Sequence, residues 1–278
     1  MKRSERLVNI TKYLLARPHV LTSLPYFAEN YGAAKSSISE DLGILKRTLA
    51  ADEDGILETV AGAAGGVRYI PFMGEDKARA YVKRLVNEVQ QPDRILPGGF
   101  LYLSDVLGSP YHLQQIGKLI STHYAYSNVD YVMTIETKGI ALAQAVSRYL
   151  NVPFVTVRHR SRVTEGATLS VNYVASASDH VEKMELANRM LQENSNVLIV
   201  DDFIKGGGTL SGMEQLVKEF HCETVGKCIL CEAYYPHQQQ VSDYLALVSI
   251  SQIDQQNKTI HAQPGNFLEQ TDFNKFEK

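Results

Sequence analysis

The chain has 278 residues, 44% of them apolar and 21% charged, an ordinary globular composition with length enough for two domains. Its net charge of −3 excludes a polycation, so any nucleic-acid function has to rest on a local patch. The longest apolar runs, such as residues 197–200, are far too short to span a bilayer, and no uninterrupted apolar stretch follows the basic start Met1-Lys2-Arg3, so neither a membrane partner nor a signal peptide is expected. The cysteines are Cys222, Cys228 and Cys231, an odd, low number that fits a reducing cytoplasm. Cys228 and Cys231 fall in a strand-like run and are read as small core residues rather than a metal or redox pair, which would need further ligands.

Residues 4–17 carry Leu7, Ile10, Leu14 and Leu15 at helical spacing and end at Pro18. A short helix over 22–31 turns Leu24, Phe27 and Ala28 inward, and residues 32–35 make a turn. A third helix is expected to start at Ser37, with Ser37 and Glu40 forming a capping box and Ile38, Leu42, Leu45 and Leu49 on the buried face. Two β-type runs, 56–60 and 67–70, flank a glycine-rich loop and read as a hairpin. Three helices and a hairpin are the order of a winged helix-turn-helix. Residues 1–50 hold eight Lys or Arg against four Asp or Glu, a local +4. Arg3, Arg6, Lys35, Ser36, Ser37, Ser39 and Lys46 are the candidate DNA contacts, with Arg68 in the wing. A helical dimerisation module with a solvated basic face is the competing reading.

Residues 75–91 place Ala78, Tyr81, Val82, Leu85, Val86 and Val89 on one helical face before Pro92. That helix is either a linker or dimer surface, or it packs on its own domain. From about residue 93 strands and helices alternate: strand 131–135, helix 141–150, strand 154–157, strand 173–175, helix 182–191, strand 197–200 and helix 210–220. The pattern predicts an α/β domain with a largely parallel sheet. The division expected is a winged-helix DNA-binding domain over 1–74 and a linker helix with an effector-binding domain over 75–278.

Strand 197–200 is wholly apolar, as for a strand buried on both faces, and Asp201 and Asp202 follow it. Gly206, Gly207, Gly208 and Thr209 then lead into a helix. Glycines let backbone N–H groups converge on an anion, the helix start adds a favourable dipole, and Thr209 adds a hydroxyl. Adjacent carboxylates beside a phosphate suit the vicinal hydroxyls of a ribose. A second strand-to-helix turn, Glu136-Thr137-Lys138-Gly139, offers a charge and a close backbone approach. The basic run Arg158, Arg160 and Arg162 suits a pyrophosphate, or is a solvated loop; His159 is too isolated to read as a base or ligand.

The run Val197-Leu-Ile-Val-Asp-Asp-Phe-Ile-Lys-Gly-Gly-Gly-Thr209 resembles the phosphoribosyl pyrophosphate (PRPP) signature of type I phosphoribosyltransferases. There the acidic pair holds the ribose hydroxyls and the loop holds the 5-phosphate, while Thr137-Lys138-Gly139 is similar to the pyrophosphate loop. Joined to a winged helix, the chain resembles the purine operon repressors of Gram-positive bacteria nearly end to end. That likeness takes in Ala33-Ala-Lys-Ser-Ser-Ile-Ser-Glu-Asp-Leu42, Gly62-Ala-Ala-Gly-Gly66, Arg94-Ile-Leu-Pro-Gly-Gly99, Val163-Thr-Glu-Gly166 and Asp201-Asp-Phe203 with Lys205. The resemblance implies a cytoplasmic homodimer that binds double-stranded operator DNA and represses purine synthesis and transport genes. PRPP is the expected inducer, with Mg2+ as its optional companion and no cofactor required, and ppGpp or a purine nucleotide as a competitor. Phe203 and Tyr102 are candidates for stacking a base, with core packing as their alternative. Lys205 stands where hypoxanthine-guanine transferases carry a catalytic aspartate; a protonated lysine accepts no proton, so sensing without turnover is expected. The rival is a catalytic purine or orotate phosphoribosyltransferase with a regulatory N-terminal module.

Overall fold

A computed structural model describes residues 1–62, 64–98, 100–160, 163–175, 180–233 and 241–276. The first three helices are α1 (Arg3–Leu15), α2 (Leu24–Tyr31) and α3 (Lys35–Ala51). The hairpin β1 (Gly55–Val60) and β2 (Gly66–Pro71) pairs antiparallel, with Val60 opposite Gly66, and Thr22 adds a bridge to Val67. Ile10, Leu14, Phe27, Ile38, Leu42, Leu45, Leu57 and Val67 form one apolar core. This is the winged helix-turn-helix. Ser23 caps α2 by accepting from the Tyr26 amide at 3.4 Å, and Gly32 ends it at φ +59°, a left-handed conformation that glycine adopts without Cβ strain.

The start of α3 corrects the expected capping box. The helix begins two residues earlier, Ala34 takes the N-cap position without a side-chain cap, and Ser37 lies inside the first turn. Ser37 is thus too far into the helix to serve the orphan amides at its end.

α4 (Glu75–Val89) settles the choice left open for the connecting helix. Its predicted face, Ala78 to Val89, is buried in the core of the second domain, and Gln90 donates to the Ala262 carbonyl. A short hairpin follows, β3 (Ile95–Leu96) and β4 (Phe100–Leu101), then α5 (Ser104–Gly108) and α6 (Pro110–Tyr124). The main sheet contains β5 (Tyr131–Ile135) and β6 (Phe154–Val157), with α7 (Gly139–Leu150) between them. β7 (Thr168–Ala175) and β8 (His180–Ala187) form a separate antiparallel hairpin. The sheet continues with β9 (Asn196–Lys205), then α8 (Gly208–Glu219), β10 (Glu223–Ala233), β11 (Leu245–Asp254) and β12 (Thr259–Pro264), and α9 (Phe267–Gln270) closes the domain.

The sheet order is β12-β11-β10-β9-β5-β6, parallel except for β12 on the edge. β9 is central, and its apolar run is buried from both sides: Leu198 and Val200 join the layer with α4, α6 and α7, while Val197 and Ile199 join the layer with α8 and the hairpin. Cys228 and Cys231 are free and fully buried within this core.

The expected helix over 182–191 is overturned: residues 180–187 are β8. Met184 and Leu186, both buried, are two apart and share one face of a strand, where a helix would set them about 200° apart. Pairing with β7 from Thr168↔Ala187 to Ala175↔His180 is long in register and supplies the hydrogen bonds a helix would have made locally.

Candidate functional site

β9 does not stop at Val200 but runs through both aspartates to Lys205. Its pairing with β5 ends at Met133↔Ile199, while its pairing with β10 continues to Lys205. Asp201 and Asp202 therefore emerge where β5 and β9 part company, at the carboxyl end of a parallel sheet, the usual ligand position in such folds. Asp201 is buried at 7% exposure, and its Oδ1 accepts from the Asp202 amide at 2.9 Å. Burial first, and the neighbouring Asp202 charge second, push the Asp201 carboxyl well above the ordinary carboxylate range. Asp202 is raised by burial as well, with the Lys138 ammonium opposing the rise.

Two loops face this pair. After β5 the chain crosses a cis Glu136–Thr137 peptide, exposes Thr137 and Lys138, and enters α7 at buried Gly139. A Cβ at Gly139 would lie 2.0 Å from the Thr134 Oγ1 and 2.9 Å from the Asp201 Oδ1, so only glycine lets the pyrophosphate-type loop approach the acidic pair. After β9, Gly206 and Gly207 take φ +85° and +88°, and α8 begins at Gly208 with Thr209 in its first turn. Asp201, Phe203, Lys205, Gly207, Gly208 and Thr209 line a cavity of about 300 Å3. Asp201 of the acidic pair, the end of the predicted phosphate loop and the helix start thus share one cavity, while Asp202 and Gly206 adjoin it without lining it.

The same cavity takes residues that the sequence reading passed over. His159 lines it, as do Tyr173 and Glu182 on the β7–β8 hairpin, where the Tyr173 hydroxyl donates to Glu182 at 2.7 Å. None carries a local motif, and the hairpin that delivers two of them was the misread segment. Phe100 on β4 does not line the cavity but stands near one of its residues: the Lys205 ammonium lies 5.7 Å from its ring centroid.

Three predicted residues sit differently from expectation. Arg158 is held by Glu136 at 2.8 Å and Glu165 at 2.6 Å, so its guanidinium is already occupied by carboxylates. Arg160 lines a neighbouring, more open depression with His159, Glu182, Lys183 and Glu185. Tyr102 is exposed, exchanges backbone contacts with Arg94, and does not line the cavity. Arg162, Gly99 and Ala63 lie outside the described residues.

In the N-terminal domain Lys35, Ser36, Ser39, Lys46 and Arg47 are exposed on α3, Lys35 at its first position, with Ser37 half-buried among them. Arg3 and Arg6 have a second task. Asp41, with 0% of its side chain exposed, accepts from Arg6 Nε at 2.6 Å and from Arg3 Nε at 3.0 Å. Arg6 is only 11% exposed and turned to this pair rather than to solvent; Arg3 remains half-exposed. Arg68 is not at the wing tip but on the body of β2, paired with Glu58 at 2.5 Å and lining a cleft with Tyr126 and Asn128 of the second domain.

A winged helix joined to a phosphoribosyltransferase fold, with an acidic pair and a glycine loop at the sheet's carboxyl edge, defines the class. Residues 2–71 match the family described as bacterial purine repressor, N-terminal, and residues 104–266 match the phosphoribosyl transferase domain. The chain is 48% identical over 267 residues to the purine biosynthesis transcriptional repressor PurR of Bacillus subtilis (strain 168), covering 96% of this chain and 94% of that one. It is 44% identical over 268 residues to the purine biosynthesis transcriptional activator PurR of Lactococcus lactis subsp. lactis (strain IL1403), covering 96% and 99%. It shares its α/β fold with adenine phosphoribosyltransferase from Thermoanaerobacter pseudethanolicus at a TM-score of 0.52, with 19% identity, over 60% of this chain and 98% of that one. The chain belongs to the PurR family of bacterial purine biosynthesis regulators. Among the described residues no helix is long and apolar enough to cross a membrane.

Proposed function

We propose that the chain is a homodimeric repressor of purine biosynthesis and transport genes, which binds double-stranded operator DNA and is released from it by PRPP. The observation that carries the sensor half is the meeting of Asp201, Lys205, Gly207, Gly208 and Thr209 around one cavity, with Gly139 packed against Asp201 and the Asp202 amide bonded to the Asp201 carboxyl. Ribose hydroxyls donate to the carboxyls, the backbone of 206–209 and the start of α8 hold the 5-phosphate, and Lys138 draws the pyrophosphate. Mg2+ arrives with PRPP; the described residues include no group of three or more His, Cys, Asp or Glu placed to bind a metal independently. Phe203, which lines the cavity, gives a purine nucleotide or ppGpp a surface for competing with PRPP, and Phe100 lies close to Lys205.

Lys205 replaces the carboxylate that some transferases use to take the base proton, which favours binding without turnover. Arg158 fits the same reading, because its guanidinium is spoken for by Glu136 and Glu165. The exposed face of α3, with Lys35, Ser36, Ser39 and Lys46, supplies the DNA contacts. Arg3, paired with Glu40 and Asp41 of α3, stands at its margin, Arg68 lies apart on β2 beside Glu58, and Arg6 acts through Asp41 on how α1 meets α3.

The double variant Asp201→Ala with Asp202→Ala separates the two halves. Operator binding should persist while the response to PRPP disappears, and no pyrophosphate should be released from PRPP, Mg2+ and a panel of purine bases or orotate by the unaltered protein. Steady turnover, or a variant that still responds to PRPP, refutes the reading.

A further inference from the structure

Helix α7 begins at the effector site and ends at the DNA-binding domain. Its first residue, Gly139, lies against Asp201. Its last, Leu150, and the following Asn151 and Val152 line a cleft of about 330 Å3 whose opposite wall is His19, Val20 and Arg68 of the winged helix. Twelve helical residues cover roughly 18 Å, so one rigid element spans the distance.

α7 is joined tightly to α6. A Cβ on Gly117 would fall 2.7 Å from the Ala145 carbonyl oxygen, so the two backbones touch without an intervening side chain. Ser121 Oγ donates to both the Gly117 and the Val146 carbonyls, at 2.7 and 3.3 Å. Two helices packed in this way move together, because no side chain between them can take up a shift.

α6 in turn grips the turn that ends α3. The Lys118 ammonium, 9% exposed, pairs with the Asp54 carboxylate. Four residues further, Thr122 Oγ1 accepts from the Met73 amide at 2.9 Å. The same turn is held from its other sides: the Lys77 ammonium donates to the Asp52 carbonyl, the Gly74 amide to the Glu53 carbonyl, and the Tyr69 hydroxyl to the Asp54 carbonyl. Residues 52–54 follow directly on the helix whose outer face is proposed to read DNA.

We propose that Lys118 is a positioning residue that couples occupancy of the effector site to the setting of α3. Filling the cavity beside Gly139 shifts α7, α6 follows because its backbone rests on α7, and Lys118 carries the shift through Asp54 to the end of α3. This rests on the sensor reading above and adds where the coupling passes. Linkage demands such a contact to differ between the inducer-bound and operator-bound states.

The test is a double-mutant cycle on operator affinity, measured with and without saturating PRPP and Mg2+ on the full chain. Lys118→Met keeps the aliphatic stem and removes the charge; Asp54→Asn changes a side chain that is 59% exposed and serves should the first variant not fold. The ratio of operator Kd with and without PRPP should fall at least about fivefold in each single variant and no further in the double. PRPP affinity of the DNA-free protein should stay within about twofold of the unaltered chain, which a general loosening of the fold would not allow. A folded single variant with an unchanged ratio, or additive effects in the double, overturns the inference. An unaltered protein that ignores PRPP overturns the sensor reading itself, so the two failures are told apart.

Discussion

The Asp201 side chain carries a desolvated carboxyl in the core of the domain. It is buried, borders a second carboxyl, and receives one backbone amide. Its carboxyl is raised above the ordinary value of 3.8, so between that value and its raised pKa the folded protein holds a proton that the unfolded chain has released. The stability it contributes is present at low pH and is lost as pH rises through the raised pKa. Asp201→Asn keeps an acceptor for the Asp202 amide and removes the buried charge. It should therefore unfold at a higher temperature than the unaltered protein at pH 7, and the gain should vanish near pH 4, as thermal unfolding across pH will show. A variant less stable at pH 7 would mean that the ionised Asp201 carboxylate is well paired in the folded protein. The acidic pair, glycine loop and helix start were legible because they are contiguous and their chemistry is local. Asp41 was not: its partners Arg3 and Arg6 stand 38 and 35 residues away, and a charge count over residues 1–50 does not reveal a buried ion pair. Asp41→Ala would remove the acceptor of both guanidinia and strand the largely buried Arg6 charge, a cost of about 3–5 kcal/mol that thermal unfolding would register.

Among the elements, those with a strong period were read close to their bounds. α4 is the clearest, since six apolar residues on one face require a partner surface, although only the fold shows that the partner is the effector domain. β8 was misread because its apolar residues include a pair compatible with helix, and its pairing with β7, of which only residues 173–175 were read as strand, is what decides the matter. That error concealed Glu182 as the cross-strand partner of Tyr173 in the cavity wall. α3 is amphipathic in the sense a recognition helix needs: apolar residues and Asp41 face inward, and Lys35, Ser36, Ser39 and Lys46 face out. Lys46→Ala should weaken binding to operator and to unrelated duplex alike. It should also reduce the slope of log K against log salt by about 1, the signature of one lost phosphate contact. A selective loss on operator DNA with an unchanged slope would instead make Lys46 a reader of base edges.

On the scale of the whole molecule, the two domains meet over a mixed surface rather than hanging on a free linker. Ile70 and Phe72 from the winged helix and its exit pack with Phe276 from the carboxyl-terminal segment, the two rings stacked with centroids 4.6 Å apart. His19 sits at the same junction at φ +62°, its pKa lowered to about 4 by burial and then by the Arg68 charge, so it is neutral there near pH 7. None of this was visible in the sequence, because it depends on how two separately legible domains are set against each other. The arrangement supplies what the proposed regulation requires: the end of α3 is gripped by the phosphoribosyltransferase-fold domain through Lys118 and Lys77. The measurement that bears most directly on the sensor proposal is a titration of PRPP, with Mg2+ at fixed salt, against the protein bound to a purine-gene promoter fragment. Operator affinity should fall by about a hundredfold at saturation, roughly 2.7 kcal/mol of coupling. An operator affinity that does not change at PRPP concentrations sufficient to saturate the DNA-free protein would contradict it.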